Sequence, residues 1–414
     1  MSEISRRDFI HQAYWETLGL VGSVSLLSCA KKTAPAVHAT SGATPKVSSM
    51  PSINRLKEKY SFNDAKIKLR INEPVAVVKS SIAAEAAYNV LALLKPTLRG
   101  DRAFIKANYS TYPFVDPGTP SKKPEFYYMA VTQPDFVFGI MNYLHDQGIK
   151  YENITVGDGI GESTTARLEY LGYFEQAKKM GFKVLDITKD AIAGYKIEQG
   201  GFLPETGISK TISDHIQDGV FIGAPKLKVH HFATTTTSLK NMMGIILPYD
   251  KKYIMHAELN NQWGKGKDLS REKYFDTLWS FSKRVIDLYT LAPDFSVVDG
   301  VIAGEGHGVA NEYKGNQVTF PVEAHRAFAS TNSINLDAVA AYFMGYNPMQ
   351  PDFKDLPELK LNPWLYLAQK KAYGYMDVKK IKVVGDPALI EPEKKFALLP
   401  EIEYVKFQEK IDKG

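Results

Sequence analysis

Short runs of β-branched and apolar residues alternate with stretches whose apolar positions recur at helical spacing, and this alternation narrows the fold more than any other feature. Val75 to Val78, Ala103 to Ala107, Ile154 to Val156, Val184 to Ile187, Gly219 to Ile222, Phe295 to Ile302 and Lys380 to Val384 read as strands. Between them, Ser81 caps a helix running to Leu94. Phe136, Val137, Ile140, Met141 and Leu144 then share one face of a helix that opens at Pro134 and closes at Gly148. Ser163 to Lys179 reads as a helix ended by Gly181. Phe275, Leu278, Trp279, Val285, Ile286 and Tyr289 line a longer one, and Leu336 to Phe343 is helical up to Gly345. A β-α-β-α rhythm of this kind predicts an α/β fold, a mostly parallel sheet flanked by helices on both faces. Residues 109–125, 189–212 and 346–362, rich in Pro and Gly, are expected as loops; no internal repeat or heptad is present.

The N-terminus follows a different logic. Ser5-Arg6-Arg7-Asp8-Phe9-Ile10 has the twin-arginine signal pattern. The apolar stretch after it, Leu18 to Leu27, is too short to span a bilayer, which needs ~20 apolar residues, and suits a signal core. Leu26-Leu27-Ser28-Cys29 resembles a bacterial lipobox, so cleavage before Cys29 leaves a lipidated cysteine as the new terminus. Lys31 to Ser52, rich in Ala, Thr, Ser and Pro, reads as a tether spanning roughly 25 Å. The expected organisation is a signal peptide over 1–28, a tether over 29–66, an α/β domain over 67–390 and a C-terminal tail over 391–414. The domain can divide into lobes 67–190 and 191–390 with a cleft between them. The expected location is the periplasm or cell envelope. The expected partners are the twin-arginine translocase, the membrane through the lipid, and a small anionic ligand.

Composition sets limits on the chemistry. Cys29 is the one cysteine, so an iron–sulfur cluster, a disulfide and a cysteine-ligated metal are all excluded. The net charge is +5. Removing residues 1–28 takes away Arg6 and Arg7 but also Glu3, Asp8 and Glu16, leaving +6 without any Lys/Arg block. That balance favours small anions over nucleic acid.

The densest polar stretch is 223–256. Lys226, Lys228 and Lys240 lie close in sequence with His230, His231 and His256, and Asn241 can orient a ligand. The stretch follows a predicted strand end, where open α/β sheets bind ligands. The threonine run reads as a loop leading into a helix from Ser238 to Ile246, whose N-terminal N–H groups, with Thr237 and Ser238, are expected to favour an anion. The combination points to a lysine anion clamp of Lys226, Lys228 and Lys240, with His230, His256 and Lys240 as catalytic candidates. The same residues also read as a loop, a cap and surface lysines. Gly157-Asp158-Gly159-Ile160-Gly161-Glu162 and Gly304-Glu305-Gly306-His307-Gly308 are glycine-rich loops placing Asp158, Glu305 and His307. The first lacks the G-x-G-x-x-G spacing of dinucleotide sites. His230, His231 and His256 are metal candidates with no established ligand spacing behind them.

These segments together resemble the domain of unknown function 362 family, from about residue 73 to 386. The marks are Ile105-Lys106-Ala107-Asn108, Thr132-Gln133-Pro134, Val156-Gly157-Asp158-Gly159 and Pro225-Lys226-Leu227-Lys228-Val229-His230, which leads to Lys240-Asn241-Met242-Met243-Gly244. Val298-Asp299-Gly300, Glu305-Gly306-His307-Gly308 and Asp337-Ala338-Val339-Ala340 complete them. The resemblance adds Lys106 and Asn108 to the ligand-binding candidates. Members of this family often carry a ferredoxin-like cluster domain, from which this chain departs, and its Gly308-Val309 replaces the usual Gly-Pro. A fainter similarity is to lactate racemases with their nickel-pincer nucleotide. His230, Thr234 to Ser238, Lys240 and His256 fall in the corresponding places, although the Gly-Gly-x-Lys of those enzymes is missing. By that analogy the reaction is proton or hydride transfer at carbon, with a phosphorylated or metal-bearing cofactor. The contrasting expectation is a non-catalytic, lipid-anchored protein that captures a solute or partner.

Overall fold

The computed structural model describes residues 59–62, 64–111, 123–160, 163–198, 200–247, 271–349, 363–399, 406–408 and 410–412. The twin-arginine motif, Cys29, the tether up to residue 58, Gly161, Glu162, Lys251, Lys252 and His256 lie outside them. Leu56–Gly414 forms one compact unit.

In chain order the elements are β1 Lys59–Phe62, β2 Val75–Lys79, α1 Ala83–Leu94, β3 Ala103–Ala107, α2 Pro134–Asp146, β4 Ile154–Asp158, α3 Thr164–Tyr170, α4 Tyr173–Met180 and β5 Lys183–Asp186. They continue with β6 Ile192–Ile197, β7 Glu205–Ser209, α5 Lys210–Asp218, β8 Val220–Ala224, β9 Lys226–His230, β10 Thr234–Thr236, α6 Ser238–Asn241 and α7 Arg271–Leu288. The last are β11 Phe295–Gly306, β12 Glu312–Tyr313, β13 Asn316–Gln317, β14 Thr319–Val322, β15 Arg326–Ser330, α8 Ser333–Phe343, α9 Pro363–Lys370 and β16 Val383–Val384.

The main sheet runs β16-β2-β15-β11-β8-β3-β4-β5. Its centre is parallel and buried on both faces: every residue of β3, β4 and β8 is buried, as strands sandwiched between helices must be. β15 runs antiparallel between β2 and β11, which makes the sheet mixed. One face carries α1 and α2 on a core including Val90, Leu91, Phe136 and Ile140. The other carries α7, α8 and α9 on a core including Val285, Ile286, Leu336 and Trp364. Residues 67–190 supply β2, β3, β4 and β5 to this sheet and residues 191–390 supply the rest, so the two stretches share one sheet.

Several local expectations change. Ile82, not Ser81, stands at the start of α1, and its N–H donates to the Ser80 hydroxyl at 3.1 Å. The helix expected over 163–179 is two, α3 and α4, separated at Leu171-Gly172. The loop expected at 189–212 holds β6 and β7, which form a small sheet with β1. Here alternating Tyr195 and Ile197 are the period-two signal that nearby Gly and Pro obscured. Of the late strand over 380–384 only Val383–Val384 pairs, beside β2. The threonine run is not a loop: Thr234, Thr235 and Thr236 pair with His230, Val229 and Lys228 as β10. The helix expected from 238 to 246 is α6 followed by a 3₁₀ turn, Met242–Ile245. The glycines at 304 and 306 belong to β11, paired with β14, and Glu305 is held in that ladder. The start of the expected tail also packs into the domain, since Phe396 is buried and Gly306 bridges to Leu398.

Candidate functional site

The site lies where β3, β4 and β8 end. β8 runs into β9 through Pro225, and the two follow β11 with a register irregularity between Asp299 and Gly304. A strand bent in this way carries Lys226, Lys228 and His230 past the end of the parallel ladder.

Two buried ion pairs form its floor. The Lys106 ammonium lies 2.7 Å from Asp158 Oδ1 and donates to Asn241 Oδ1 at 2.7 Å. Asn241 donates its amide to the Lys106 carbonyl at 3.0 Å. Asp158 also accepts the N–H groups of Tyr109 and Gly159, at 2.8 and 2.7 Å. Gly244 lies directly over this pair: a Cβ there would sit 2.7 Å from both Asp158 Oδ1 and Lys106 Nζ. Lys226 forms the second pair, 2.8 Å from Asp299 Oδ2. Asp299 accepts the N–H of Gln133 at 2.8 Å, its side-chain amide at 3.1 Å and the N–H of Val301 at 3.2 Å. Burial pulls both lysines below their usual range, while the adjacent carboxylates push back. These lysines are therefore neutralised within the protein, as buried charges require.

Lys228 differs. It is 1% exposed, and its ammonium donates to the Ser110 carbonyl at 2.8 Å. Among the described residues no carboxylate lies within ion-pair distance of it. Burial lowers its pKa well below the ordinary value, and the cations Lys240, Lys226 and Arg167 add to that shift. Arg167, on α3, donates to the Tyr109 carbonyl at 2.6 Å.

Next to Lys228 is a stack of three imidazoles. His230 and His231 rings lie 4.4 Å apart, and His231 and His307 rings 4.2 Å apart, nearly parallel. Nδ1 of His230 accepts the N–H groups of Phe232 and Ala233, at 3.1 and 3.2 Å. Nδ1 of His307 accepts that of Ala310 at 2.9 Å. Those bonds leave Nε2 as the protonated nitrogen of a neutral ring. Burial drives the His230 pKa well down, helped by Lys240, His231, Lys228 and His307. The loop carrying His307 rests on β9: Gly308 has φ +80°, and the Val229 carbonyl fills the space a Cβ would need. Parallel stacked rings do not converge on one point, and the described residues include no group of three His, Asp or Glu that could hold a metal. His256, the third metal candidate, lies outside the described residues.

Other expected members face elsewhere. The N–H groups of Ser238 and Leu239 donate to Asp337, at 2.7 and 3.1 Å. The positive end of α6, expected to receive a ligand, is taken by the protein's own carboxyl group. The Ser238 hydroxyl bonds to Ser296 and Ser333 in the core. Glu305 pairs with Lys394 at 3.1 Å and accepts the N–H of Ala397, so it holds the C-terminal segment. Asn108 accepts the N–H of Ser110 at 3.2 Å and shapes the turn that presents that residue's carbonyl to Lys228. Lys240 and His231 are the partly exposed members of the cluster. Arg167 and Asp337 carry roles the sequence reading did not give them. A lone carboxylate in an apolar helix, as Asp337 is, was the available signal.

The family model for the domain of unknown function DUF362 matches residues 114–342. The chain belongs to this family. The matched DUF362 range contains Asp158, Lys226 to Asn241, Asp299, His307 and Asp337, and Lys106 precedes it. This chain is also similar to a thylakoid-associated protein of Synechocystis sp. (strain ATCC 27184 / PCC 6803 / Kazusa), 31% identical over 146 residues. That alignment covers 35% of this chain, which spans 38% of the relative's length.

Proposed function

We propose that this DUF362 protein is an exported cell-envelope enzyme that binds a small carboxylate or phosphate, free or as part of a cofactor, at the ends of β3, β8 and β9. Lys228 carries the reading: a buried lysine among Lys226, Lys240 and Arg167, with no carboxylate within ion-pair distance among the described residues, has the position of a group whose counter-charge arrives with a ligand. Lys106 and Lys226 keep their own carboxylates and shape the floor. Lys240, partly exposed, meets the anion from the solvent side. His230, held neutral with Nε2 protonated, is the acid/base group for a proton moving at the ligand. A phosphorylated cofactor would use the same cations.

The leader motif and Cys29 support export by the twin-arginine route and a lipid anchor, and the Synechocystis relative is named thylakoid-associated. Native mass spectrometry of protein exported by its own leader tests both halves. The expected spectrum shows a diacylglyceryl adduct on Cys29 and a retained phosphorylated or carboxylated species, lost in Lys240→Ala and His230→Ala variants of unchanged melting temperature. Unfolding of both variants, or an empty protein that takes up no anion, would overturn the enzyme reading.

A further inference from the structure

One flank of the domain combines protruding apolar side chains with a band of alternating aromatic rings and lysines. Phe202, 48% exposed, projects from the turn between β6 and β7, and Leu69 is 84% exposed. The Lys283 ammonium stands 4.3 Å from the Phe202 ring centre and 5.7 Å from that of Trp279. Trp279 lies 6.0 Å from Tyr366, over which Lys370 sits at 5.3 Å. Asp287 accepts the Phe202 N–H at 2.7 Å and stands 3.9 Å from Lys371, itself 5.9 Å from the Tyr373 ring. The Tyr373 hydroxyl donates to Asp64, which pairs with Lys68 beside Leu69. The exposed band runs from Phe202 through Lys283 and Trp279 to Tyr366 and Lys370, while the links toward Leu69 pass through Asp287 and Tyr373, which are buried.

We propose that this flank docks on an anionic phospholipid surface. Rings with one apolar and one wet edge, next to lysines on long apolar stems, match the boundary between lipid headgroups and acyl chains. Phe202 would enter the apolar layer, and Lys283 and Lys370 would meet lipid phosphates. Asp64 and Asp287 are matched by Lys68 and Lys371, whereas among the described residues no carboxylate pairs with Lys283 or Lys370. Chain order places the membrane on this side. β1, the first strand after the tether, runs beside β6, and its Ser61 hydroxyl donates to Glu198, four residues before Phe202. The presence of a membrane rests on the anchor reading of Cys29, but the surface can be tested without the lipid.

The full chain carrying Cys29→Ser is sedimented with vesicles of phosphatidylglycerol and phosphatidylcholine at about 3:7, and with phosphatidylcholine alone, at low and high salt. It should bind the anionic vesicles, and bind them less at high salt. Lys283→Gln and Lys370→Gln should each weaken partition about fivefold. Phe202→Ser should also weaken it, and Lys150→Gln, on the face carrying α1 and α2, should leave it unchanged. No binding, equal binding to both vesicle types, or equal losses from Lys150→Gln and Lys283→Gln would each overturn the proposal. None of these outcomes bears on anion binding at Lys228, so the two readings fail separately.

Discussion

Replacing Lys228 with Met, set against replacing Lys226 with Met, separates a ligand-directed lysine from a structural one. Lys226→Met leaves the carboxylate of Asp299 buried with only its hydrogen bonds from Gln133 and Val301, and stripping one member from a buried pair costs about 3–5 kcal/mol. Lys228→Met removes one hydrogen bond to the Ser110 carbonyl, a loss of about 1–3 kcal/mol. It also removes a desolvated cation repelled by Lys226, Lys240 and Arg167, which offsets that loss and brings the net change to about 0–1 kcal/mol. In a domain of this size each kcal/mol moves the melting temperature by roughly 1–2 °C. The expected result is a fall of roughly 4–8 °C for Lys226→Met and about 2 °C or less for Lys228→Met. Inorganic phosphate or malonate at about 100 times its dissociation constant should stabilise the wild type by about 2.7 kcal/mol, and Lys228→Met not at all. Thermal unfolding with and without each anion measures both effects. If Lys228→Met melts as low as Lys226→Met, and neither anion raises the wild-type midpoint, Lys228 is a structural residue and the site has no anion role.

Three further outcomes are expected. Burial pushes the Asp337 carboxyl up to about 7, so the folded state holds its proton where the unfolded chain, near 3.9, has released it. Stability from this group is present below about pH 4 and is lost as pH rises through about 7, a change on the order of a few kcal/mol that urea midpoints should show in the wild type and not in Asp337→Asn. Gly308→Ala forces a Cβ into the Val229 carbonyl at positive φ, and should cost more than about 2 kcal/mol while displacing the His307 ring, as followed by its NMR titration. Glu305→Ala removes the acceptor for Lys394 and the Ala397 N–H, and should admit proteases to residues 394–399 before the rest of the domain is cleaved.

The parallel core was legible because fully buried strands such as Ala103–Ala107 and Val220–Ala224 write themselves as continuous apolar runs between amphipathic helices. β6, β7 and β10 were not, since nearby Gly and Pro mask the alternation of β6, and the threonines and glycine of β7 and β10 carry little apolar periodicity. Within the site, Lys226, Lys228, His230 and Asn241, close in sequence, lie on adjoining elements. Sequence spacing could not reveal which lysine has a partner. Asp158 and Asp299, the acids that neutralise Lys106 and Lys226, come from β4 and β11, and only the strand order brings them near. Distance along the chain likewise hid Asp337, which lies about a hundred residues after the helix start it caps.

The sheet joins the beginning of the domain to its end: Val75 pairs with Val383, and Ala76 with Ala329. Synthesis from the N-terminal side leaves β2 without β15 until residue 330 and without β16 until residue 384. The domain's folding is therefore a late, whole-chain event dominated by distant contacts, and slow for that reason.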